Sequence, residues 1–256
     1  MIRFVILADD LTGAADTAAA FAPRLPDNRL ASSEALGPAG LPPGLGLLAI
    51  YTNSRGLAPD AAYARVAEAC AALRRLDLGL VYKKLDSSLR GNIGAELDAV
   101  LDALDLDYSL IAPAYPALGR TTRDGVHLVH GVPVAESEAG RDPVAPVRLS
   151  RLPGIVAGQS RHPVAHVAGE CMADAGGLAA EIGRLVRSGV RHVTLDATCE
   201  RQLDFLAEIG ALGPGRALLA GSAGLAERLA ARLLPPSAPA VSGPGLGRPR
   251  LLVCGT

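Results

Sequence analysis

The chain has 256 residues, of which 49% are hydrophobic and 20% charged, and this balance excludes a predominantly disordered protein. Its 25 basic and 26 acidic side chains give a formal charge of −1, so neither nucleic acid nor a membrane surface is expected as the main partner. Aromatic residues make up only 3% of the chain, which favours ligand recognition by hydrogen bonds and charge over recognition by stacking.

Short apolar runs alternate with amphipathic stretches in the first half of the chain, a pattern typical of βα units around a mostly parallel sheet. The predicted strands are Ile2–Ala8, Leu47–Tyr51, Gly79–Leu85 and Ser109–Ala112, and the predicted helices are Leu11–Phe21, Pro59–Leu76 and Ile93–Leu104. The segment that follows, Pro113–Pro153, is rich in Gly and Pro. It predicts a long loop that carries a hairpin, with strands at Val126–Val129 and Val132–Val134.

The alternation resumes after this insertion. The predicted strands are Val164–Val167, His192–Leu195 and Ala217–Ala220, and the predicted helices are Gly177–Val186, Arg201–Ile209 and Ala223–Leu233. The expected fold class is therefore α/β: a three-layer sandwich with a mostly parallel sheet and a long loop and hairpin insertion.

Composition divides the end of the chain from the rest. Residues 1–234 are expected to form one domain. Residues 235–249 contain five prolines and three glycines, which is typical of an interdomain linker. Residues 250–256 include a short apolar run, which we interpret as the first strand of a second domain, the alternative being a strand that pairs back onto the first domain.

The cysteines indicate a reducing compartment. The sequence has four, which are widely spaced without a CxxC pair: Cys70, Cys171, Cys199 and Cys254. This spacing predicts neither a disulfide framework nor a zinc site, and no metal ligands are assigned. The first apolar run, Phe4–Ala8, is too short for a signal peptide. We expect a soluble, cytoplasmic protein.

Polar side chains recur directly after the predicted strands, where an open parallel sheet binds its ligands. Asp9 and Asp10 follow the first strand, Arg55 follows the second, and Asp196 follows a later one. Two adjacent acids at the end of an apolar strand are costly to desolvate unless they are paired or face a ligand. A helix N-cap would explain one of them but not both.

The segment 83–92, KKLDSSLRGN, is the most informative stretch. It places cations, a carboxylate, two hydroxyls and a turn glycine at a strand-to-helix junction. Lys83 and Lys84 are the only lysines in the sequence, and strand alternation sends them to opposite sides of the sheet, so only one can face a site. The alternative is a solvated strand end with an ion pair.

A weaker anion-binding candidate opens the last helix, at Gly221, Ser222 and Gly224. Free N–H groups at a helix N-terminus can bind a phosphate, but an ordinary N-cap by Ser222 explains the same residues. The sequence contains no Gly-Lys dipeptide, so a Walker A phosphate loop is excluded.

Nine short motifs occur in an order that resembles one known family, the four-carbon acid sugar kinases. They are ADDLTGA (8–14), TNSR (52–55), KLDSSLRG (84–91), PAYP (113–116), GRTTRDG (119–125), GVP (131–133), DP (142–143), DA (196–197) and GSAGLA (221–226). The resemblance covers residues 1 to about 234, the sugar-binding N-terminal half of such kinases, and it implies that residues 250–256 are the first strand of their nucleotide-binding domain. One departure is Ser88, where the family more often carries Thr.

The resemblance implies the ATP- and Mg²⁺-dependent phosphorylation of the terminal hydroxyl of threonate, erythronate or 3-oxo-tetronate. It makes this chain the half that binds the sugar acid, and we expect neither ATP nor Mg²⁺ to bind tightly to it alone. The catalytic candidates are Asp10 and Asp86. The substrate-binding candidates are Asp9, Arg55, Lys84, Ser87, Arg90, Gly91 and Arg120. Arg90 and Lys84 suit the substrate carboxylate, because a guanidinium binds it bidentately and an ammonium supplies a point charge.

Two other hypotheses stay open at this point: a stand-alone module that binds acid sugars without catalysis, and a truncated, inactive gene product. The expected partner is a small sugar acid, and a homodimer is a further option.

Overall fold

The structure is a computed structural model that describes residues 2–25, 27–36, 45–169, 174–212 and 216–234. The predicted linker 235–249, the predicted strand 250–256, Cys171 and Cys254 lie outside the described residues. The α-helices are α1 (Leu11–Phe21), α2 (Pro59–Leu73), α3 (Ile93–Leu104), α4 (Leu152–Gln159), α5 (Ala175–Arg187), α6 (Glu200–Leu212) and α7 (Ala223–Leu233). The strands are β1 (Ile2–Ala8), β2 (Asn28–Ser32), β3 (Leu47–Tyr51), β4 (Leu78–Lys84), β5 (Tyr108–Ala112), β6 (Arg120–Arg123), β7 (Val126–Val129), β8 (Val132–Pro133), β9 (Val164–Val167), β10 (His192–Leu195) and β11 (Ala217–Gly221).

Eight of these strands form one sheet in the order β2-β3-β1-β4-β11-β5-β10-β9. Every neighbouring pair in it is parallel. Alternation along β1 sends Phe4 and Ile6 into one apolar core and Val5 and Leu7 into another, so helices pack on both faces. The predicted three-layer α/β sandwich is confirmed.

Strand β1 lies between β3 on one side and β4 on the other. Helix α1 contributes Phe21 to the core on one face, whereas α2 and α3 contribute Val66 and Leu97 to the core on the other. Crossovers on opposite faces leave a crevice at the carboxyl ends of β1, β3 and β4, where parallel α/β sheets bind ligands.

Several features differ from the sequence prediction, and helix α6, for example, ends at Leu212 rather than Ile209. Strand β2 was not predicted, because it is an edge strand whose first three residues are exposed and which shows no apolar run. Helix α2 ends at Leu73 rather than Leu76. Helix α4 was also not predicted: Pro153 and two glycines hide the spacing of its buried residues Leu152, Ile155 and Val156.

The insertion at Pro113–Pro153 is more ordered than a loop with a hairpin. Strands β6, β7 and β8 form a three-stranded antiparallel sheet, of which β6 was not predicted. A two-residue turn joins each pair, and all four turn residues have positive φ: Asp124 (51°), Gly125 (76°), His130 (50°) and Gly131 (82°). Such turns match the twist of an antiparallel hairpin.

Among the described residues, no helix is both long enough and apolar enough to cross a membrane.

Candidate active site at the carboxyl ends of β1, β3 and β4

The two aspartates that follow β1 have different partners. Asp10 is the N-cap of α1, and its Oδ1 accepts a hydrogen bond of 2.8 Å from the Gly13 N–H. Asp9 is bound bidentately by Arg55, with Nε 2.6 Å from Oδ2 and Nη2 3.0 Å from Oδ1. Arg55 Nη1 also lies 2.8 Å from Asp10 Oδ2. The Arg55 guanidinium therefore forms ion pairs with both adjacent carboxylates. The helix cap accounts for Asp10 only.

The electrostatics of Arg55 follow from this arrangement. Burial alone would lower its pKa, but the hydrogen bond and charge of Asp9, with the charges of Asp86 and Asp10, outweigh burial and raise it. The guanidinium is therefore charged at every accessible pH, and it is fixed in place by its two aspartates.

A second arginine fork binds the carboxylate that follows β4. Arg90 donates from Nε to Asp86 Oδ2 (2.7 Å) and from Nη2 to Oδ1 (3.2 Å), and its backbone N–H reaches Oδ2 at 3.2 Å. Arg90 Nη1 lies 3.0 Å from Asp142 Oδ2. Burial alone would raise the pKa of Asp86, but the hydrogen bonds and charge of Arg90 lower it overall. Asp86 therefore stays ionised, and much of the Arg90 fork is already occupied.

The two lysines at the end of β4 diverge as strand alternation predicts. The Lys83 ammonium lies 2.7 Å from Glu96 Oε2 of α3, and both side chains are buried. Lys84 points to the α1 side: a Cβ on Gly13 would lie 2.6 Å from Asp10 Oδ1 and 3.0 Å from Lys84 Nζ. No hydrogen bond or ion pair to another described residue engages Lys84 Nζ. Burial lowers the pKa of Lys84, against the opposing charges of the nearby aspartates.

We call the group formed by Asp9, Asp10, Arg55, Lys84, Asp86 and Arg90 the edge cluster. Two glycines give it room. Gly13 cannot carry a side chain without displacing Asp10 or Lys84. Gly91 has φ +94°, and a Cβ there would lie 3.2 Å from Asp9 Oδ2. Both positions therefore require glycine, the second also because of its backbone conformation.

A buried polar chain lies beneath the edge cluster. Thr52 Oγ1 lies 2.7 Å from Ser54 Oγ, and Ser54 Oγ donates to Glu96 Oε1 at 2.6 Å. Asn92 Nδ2 donates to the Ser54 carbonyl at 3.1 Å. These contacts anchor the turn that carries Arg55 to the start of α3, so buried hydrogen bonds fix the backbone that supports the arginine.

The remaining predicted residues are distributed around the cluster. Ser87 lies in the turn that follows Asp86, and its carbonyl faces His127 Nε2 at 2.9 Å. Arg120 lies in β6 and donates to the Leu118 carbonyl at 2.7 Å. Within the described ranges, no hydrogen bond or ion pair joins Arg120 to the edge cluster.

The weaker anion-binding candidate lies on the neighbouring strand β11. Gly221 pairs with Lys84, so α7 begins at the same edge of the sheet. The Ser222 hydroxyl accepts from the Gly224 N–H at 3.1 Å and donates to the Ala114 carbonyl at 2.9 Å. The hydroxyl is therefore engaged both as a donor and as the N-cap of α7.

A cavity of about 350 Å³ is lined in part by Arg55 and Gly91, the residue that follows Arg90. Its other walls come from the loop 144–149 and from α4, and they are mainly apolar. Arg55 is therefore shared between the edge cluster and this cavity.

Sequence reasoning left out three residues that the structure places at the site. Asp142 accepts from Arg90, Gly13 makes room for Lys84, and His127 contacts the Ser87 carbonyl. Asp142 and Gly13 lie within the quoted motifs DP and ADDLTGA, so the motifs carried a signal for them. His127 had no signal of this kind, because its role depends on how the insertion packs.

Comparison with known proteins identifies the relatives of this chain. The family model described as a sugar-binding N-terminal domain matches residues 4–229. A D-erythronate kinase of Heliobacterium modesticaldum is 36% identical over 247 residues, covering 92% of this chain and 54% of the kinase. A D-threonate kinase of Salmonella typhimurium is 37% identical over 236 residues, covering 91% and 54%.

A solved structure agrees with these relatives. A domain of unknown function from Bordetella bronchiseptica, a domain-swapped dimer with bound citrate, superposes with a TM-score of 0.74 at 37% identity. The match covers 90% of this chain and 56% of that one. The resemblance drawn from the sequence motifs is confirmed, and the chain spans about half the length of the curated relatives it matches.

Proposed function

Because this chain belongs to the family of sugar-binding N-terminal domains, we propose that it binds a four-carbon sugar acid as the substrate half of an ATP-dependent kinase. The candidate substrates are threonate, erythronate and 3-oxo-tetronate, and the reaction is transfer of a phosphoryl group to the terminal hydroxyl. One observation supports the location of the site above all. Lys84 is a buried ammonium without a hydrogen-bond partner among the described residues, at the edge where parallel sheets bind ligands.

The substrate carboxylate would bind to Lys84 Nζ. A buried ammonium without partners gains more from an anionic ligand than one already paired within the protein. Asp86 and Asp142 engage Nε of Arg90 and one N–H each of Nη1 and Nη2. Arg90 would assist with the two N–H groups that remain free, one on Nη1 and one on Nη2. We therefore assign Lys84 the main charge contact and Arg90 a supporting one.

The substrate hydroxyls would donate to the aspartates. Of the two catalytic candidates, Asp10 is the better placed base, because its side chain is 28% exposed whereas that of Asp86 is 11% exposed. Asp86 also has a lowered pKa, so it is a weak proton acceptor. Phosphoryl transfer depends mainly on positioning and charge neutralisation, so orienting the attacking hydroxyl is the principal task of Asp10.

ATP and Mg²⁺ belong to the proposed reaction, since the relatives are kinases. The described residues do not fit a resident Mg²⁺ ion: arginine forks bind Asp9 and Asp86, and no three potential ligand side chains converge on one point in these ranges. We therefore assign no step to Mg²⁺ on this chain. We expect the chain alone to bind a sugar acid without turning over ATP.

Isothermal titration calorimetry tests the proposal. D-threonate and D-erythronate should bind, and the uncharged alcohols threitol and erythritol should bind at least about tenfold more weakly, since they lack a charged hydrogen bond. Equal binding of acid and alcohol would contradict recognition through the carboxylate. Release of ADP by the pure chain on addition of a tetronate would contradict the assignment of binding without turnover.

Two further proposals concern the setting of the protein. The four cysteines of the sequence are widely spaced without a CxxC pair, which supports a reducing compartment such as the cytoplasm. The Bordetella bronchiseptica neighbour is a domain-swapped dimer, which supports a homodimer as the assembly to test by sedimentation.

A further inference from the structure

The turn that follows β4 carries much of the edge cluster. It runs from Asp86 to Leu89 and is closed by a hydrogen bond of 3.0 Å from the Leu89 N–H to the Asp86 carbonyl. Leu89 has φ +61°, a conformation that is unusual for a branched side chain. The peptide between Ser87 and Ser88 lies at the centre of this turn. Its orientation is the variable that distinguishes one common turn type from another.

His127 of β7 contacts this central peptide from below. Its Nε2 lies 2.9 Å from the Ser87 carbonyl oxygen, and its Nδ1 lies 2.9 Å from Thr122 Oγ1. Thr122 and His127 are register partners across the β6–β7 hairpin, and both side chains are fully buried. The contact therefore links the hairpin insertion to the turn of the edge cluster.

The chemistry of these atoms fixes the direction of both hydrogen bonds. A carbonyl oxygen only accepts, so His127 Nε2 carries a proton and donates it to Ser87. Burial lowers the pKa of His127 to about 4, so the ring is neutral at pH 7 and Nδ1 is an acceptor. The Thr122 hydroxyl must then donate to Nδ1. The chain runs from Thr122 through the imidazole to the Ser87 carbonyl.

The hairpin that carries His127 is itself anchored to the sheet. The Asp196 carboxylate accepts from the N–H groups of Asp124 and Gly125, the two turn residues, at 2.8 Å and 3.0 Å. The Thr122 N–H donates to the Ala197 carbonyl at 2.9 Å. His127 therefore acts from a fixed support.

We infer that His127 is a positioning residue for the edge cluster: by donating to the Ser87 carbonyl, it holds the central peptide of the Asp86–Leu89 turn in one orientation. The N–H of a peptide points away from its C=O, so the same bond directs the Ser88 N–H to the opposite face of the turn. A flipped peptide would exchange the faces to which the Ser87 carbonyl and the Ser88 N–H point. The consequence for ligand binding rests on the proposed function, whereas the consequence for the turn does not.

Matched variants separate this role from general packing. His127→Phe removes both hydrogen bonds but keeps a ring, whereas His127→Gln keeps an N–H donor. Thr122→Val removes the donor to Nδ1, and Thr121→Val is the control on the same strand. We expect D-threonate affinity to fall about tenfold in His127→Phe and about threefold in Thr122→Val. His127→Gln should restore most of the affinity, and Thr121→Val should leave it unchanged.

Two measurements need no ligand. Nitrogen NMR of the histidine rings should show His127 with a protonated Nε2 and an unprotonated Nδ1 at pH 7. Amide exchange at Leu89 should be about tenfold faster in His127→Phe than in the unaltered chain, because the turn opens more often, and unchanged in Thr121→Val.

The inference is overturned if His127 carries its proton on Nδ1 or is doubly protonated at pH 7. It is also overturned if folded His127→Phe keeps both the Leu89 exchange rate and the D-threonate affinity of the unaltered chain. If the unaltered chain does not bind D-threonate, the proposed function fails, and the ring tautomer and the exchange rate still decide the positioning role. If His127→Phe does not fold, the tautomer and the Thr122→Val comparison decide it.

Discussion

The two adjacent lysines of β4 lie on opposite faces of the sheet, and they differ in whether the protein pairs their charge. Lys83 lies against α3, where its ammonium is 2.7 Å from Glu96 Oε2 and 3.1 Å from the Lys84 carbonyl, with about 1% of the side chain exposed. Lys84 lies against α1 within the edge cluster, and no described residue accepts a hydrogen bond from it. A buried charge that is paired within the protein supports the fold, whereas one without a hydrogen-bond partner is available to a ligand.

The largest expected effect comes from breaking the ion pair between Lys83 and Glu96. Lys83→Met leaves Glu96 buried without its cation, which should lower the free energy of unfolding by about 3–5 kcal/mol. The double variant Lys83→Met/Glu96→Leu should recover most of this loss, because two apolar side chains need no partner. Urea unfolding measures both. A loss below about 1 kcal/mol in Lys83→Met would show that the pair is not a support of the fold.

Removing the Lys84 ammonium should weaken ligand binding without lowering the stability of the fold. Lys84→Met should weaken D-threonate binding by a factor of about 10 to 150, the equivalent of a charged hydrogen bond of about 1.5–3 kcal/mol. The melting temperature should hold or rise, because burial disfavours the charged form of Lys84. Arg184→Met on α5, an exposed cation distant in sequence from the cluster, is the control for both measurements. Strong unfolding without loss of affinity would assign Lys84 to the fold.

Ser222 extends the comparison to a neutral group at the same edge. Its hydroxyl donates to the Ala114 carbonyl and accepts from the Gly224 N–H. Ser222→Ala should therefore lower the free energy of unfolding by about 0.5–2 kcal/mol, the usual loss for an N-cap. Asp174→Ala removes the exposed cap of α5 and is the matched comparison. A smaller loss at Ser222 than at Asp174, measured by urea unfolding, would mean that the buried cap contributes less than the exposed one.

The smallest expected effect lies at the rim of the edge cluster. Hydrogen bonds from the Ala145 and Val144 N–H groups, with one from Arg90, lower the pKa of Asp142 to about 2. The unfolded value is about 3.9, so this stabilisation is complete above about pH 4 and is lost as the pH falls towards 2. Asp142→Asn should lose less stability than the unaltered chain over this interval. If the midpoint of urea unfolding falls equally in the two proteins between pH 4 and pH 2, the assignment is contradicted.

Most of the fold could be predicted because buried parallel strands are short apolar runs that need no knowledge of their neighbours. Strand β2 could not, since an exposed edge strand such as Asn28–Ser32 has no such run. Strand β6 had an unused signal. The dipeptide Asp124-Gly125 is a turn sequence that favours positive φ at both residues, and it predicts a partner strand before Val126.

The location of the site followed from topology, because the carboxyl ends of neighbouring parallel strands share an edge. The pairing within it did not. Arg55 bridges two aspartates, and Arg90 reaches Asp142, which is 52 residues away in the chain. Such pairs depend on how loops pack. The sequence alone therefore left open that much of the Arg90 fork is already occupied.

The central claim, that the Lys84 face of β4 receives the substrate carboxylate, has a direct spectroscopic test. Lysine labelled at Cε and Nζ gives signals from two residues only, since the sequence contains no other lysine, and a Lys84→Arg variant assigns them. Addition of D-threonate should shift the Lys84 signal and leave Lys83 unchanged, and threitol should shift neither. If calorimetry shows that D-threonate binds while the Lys84 signal stays in place, the carboxylate is recognised elsewhere and the account is wrong.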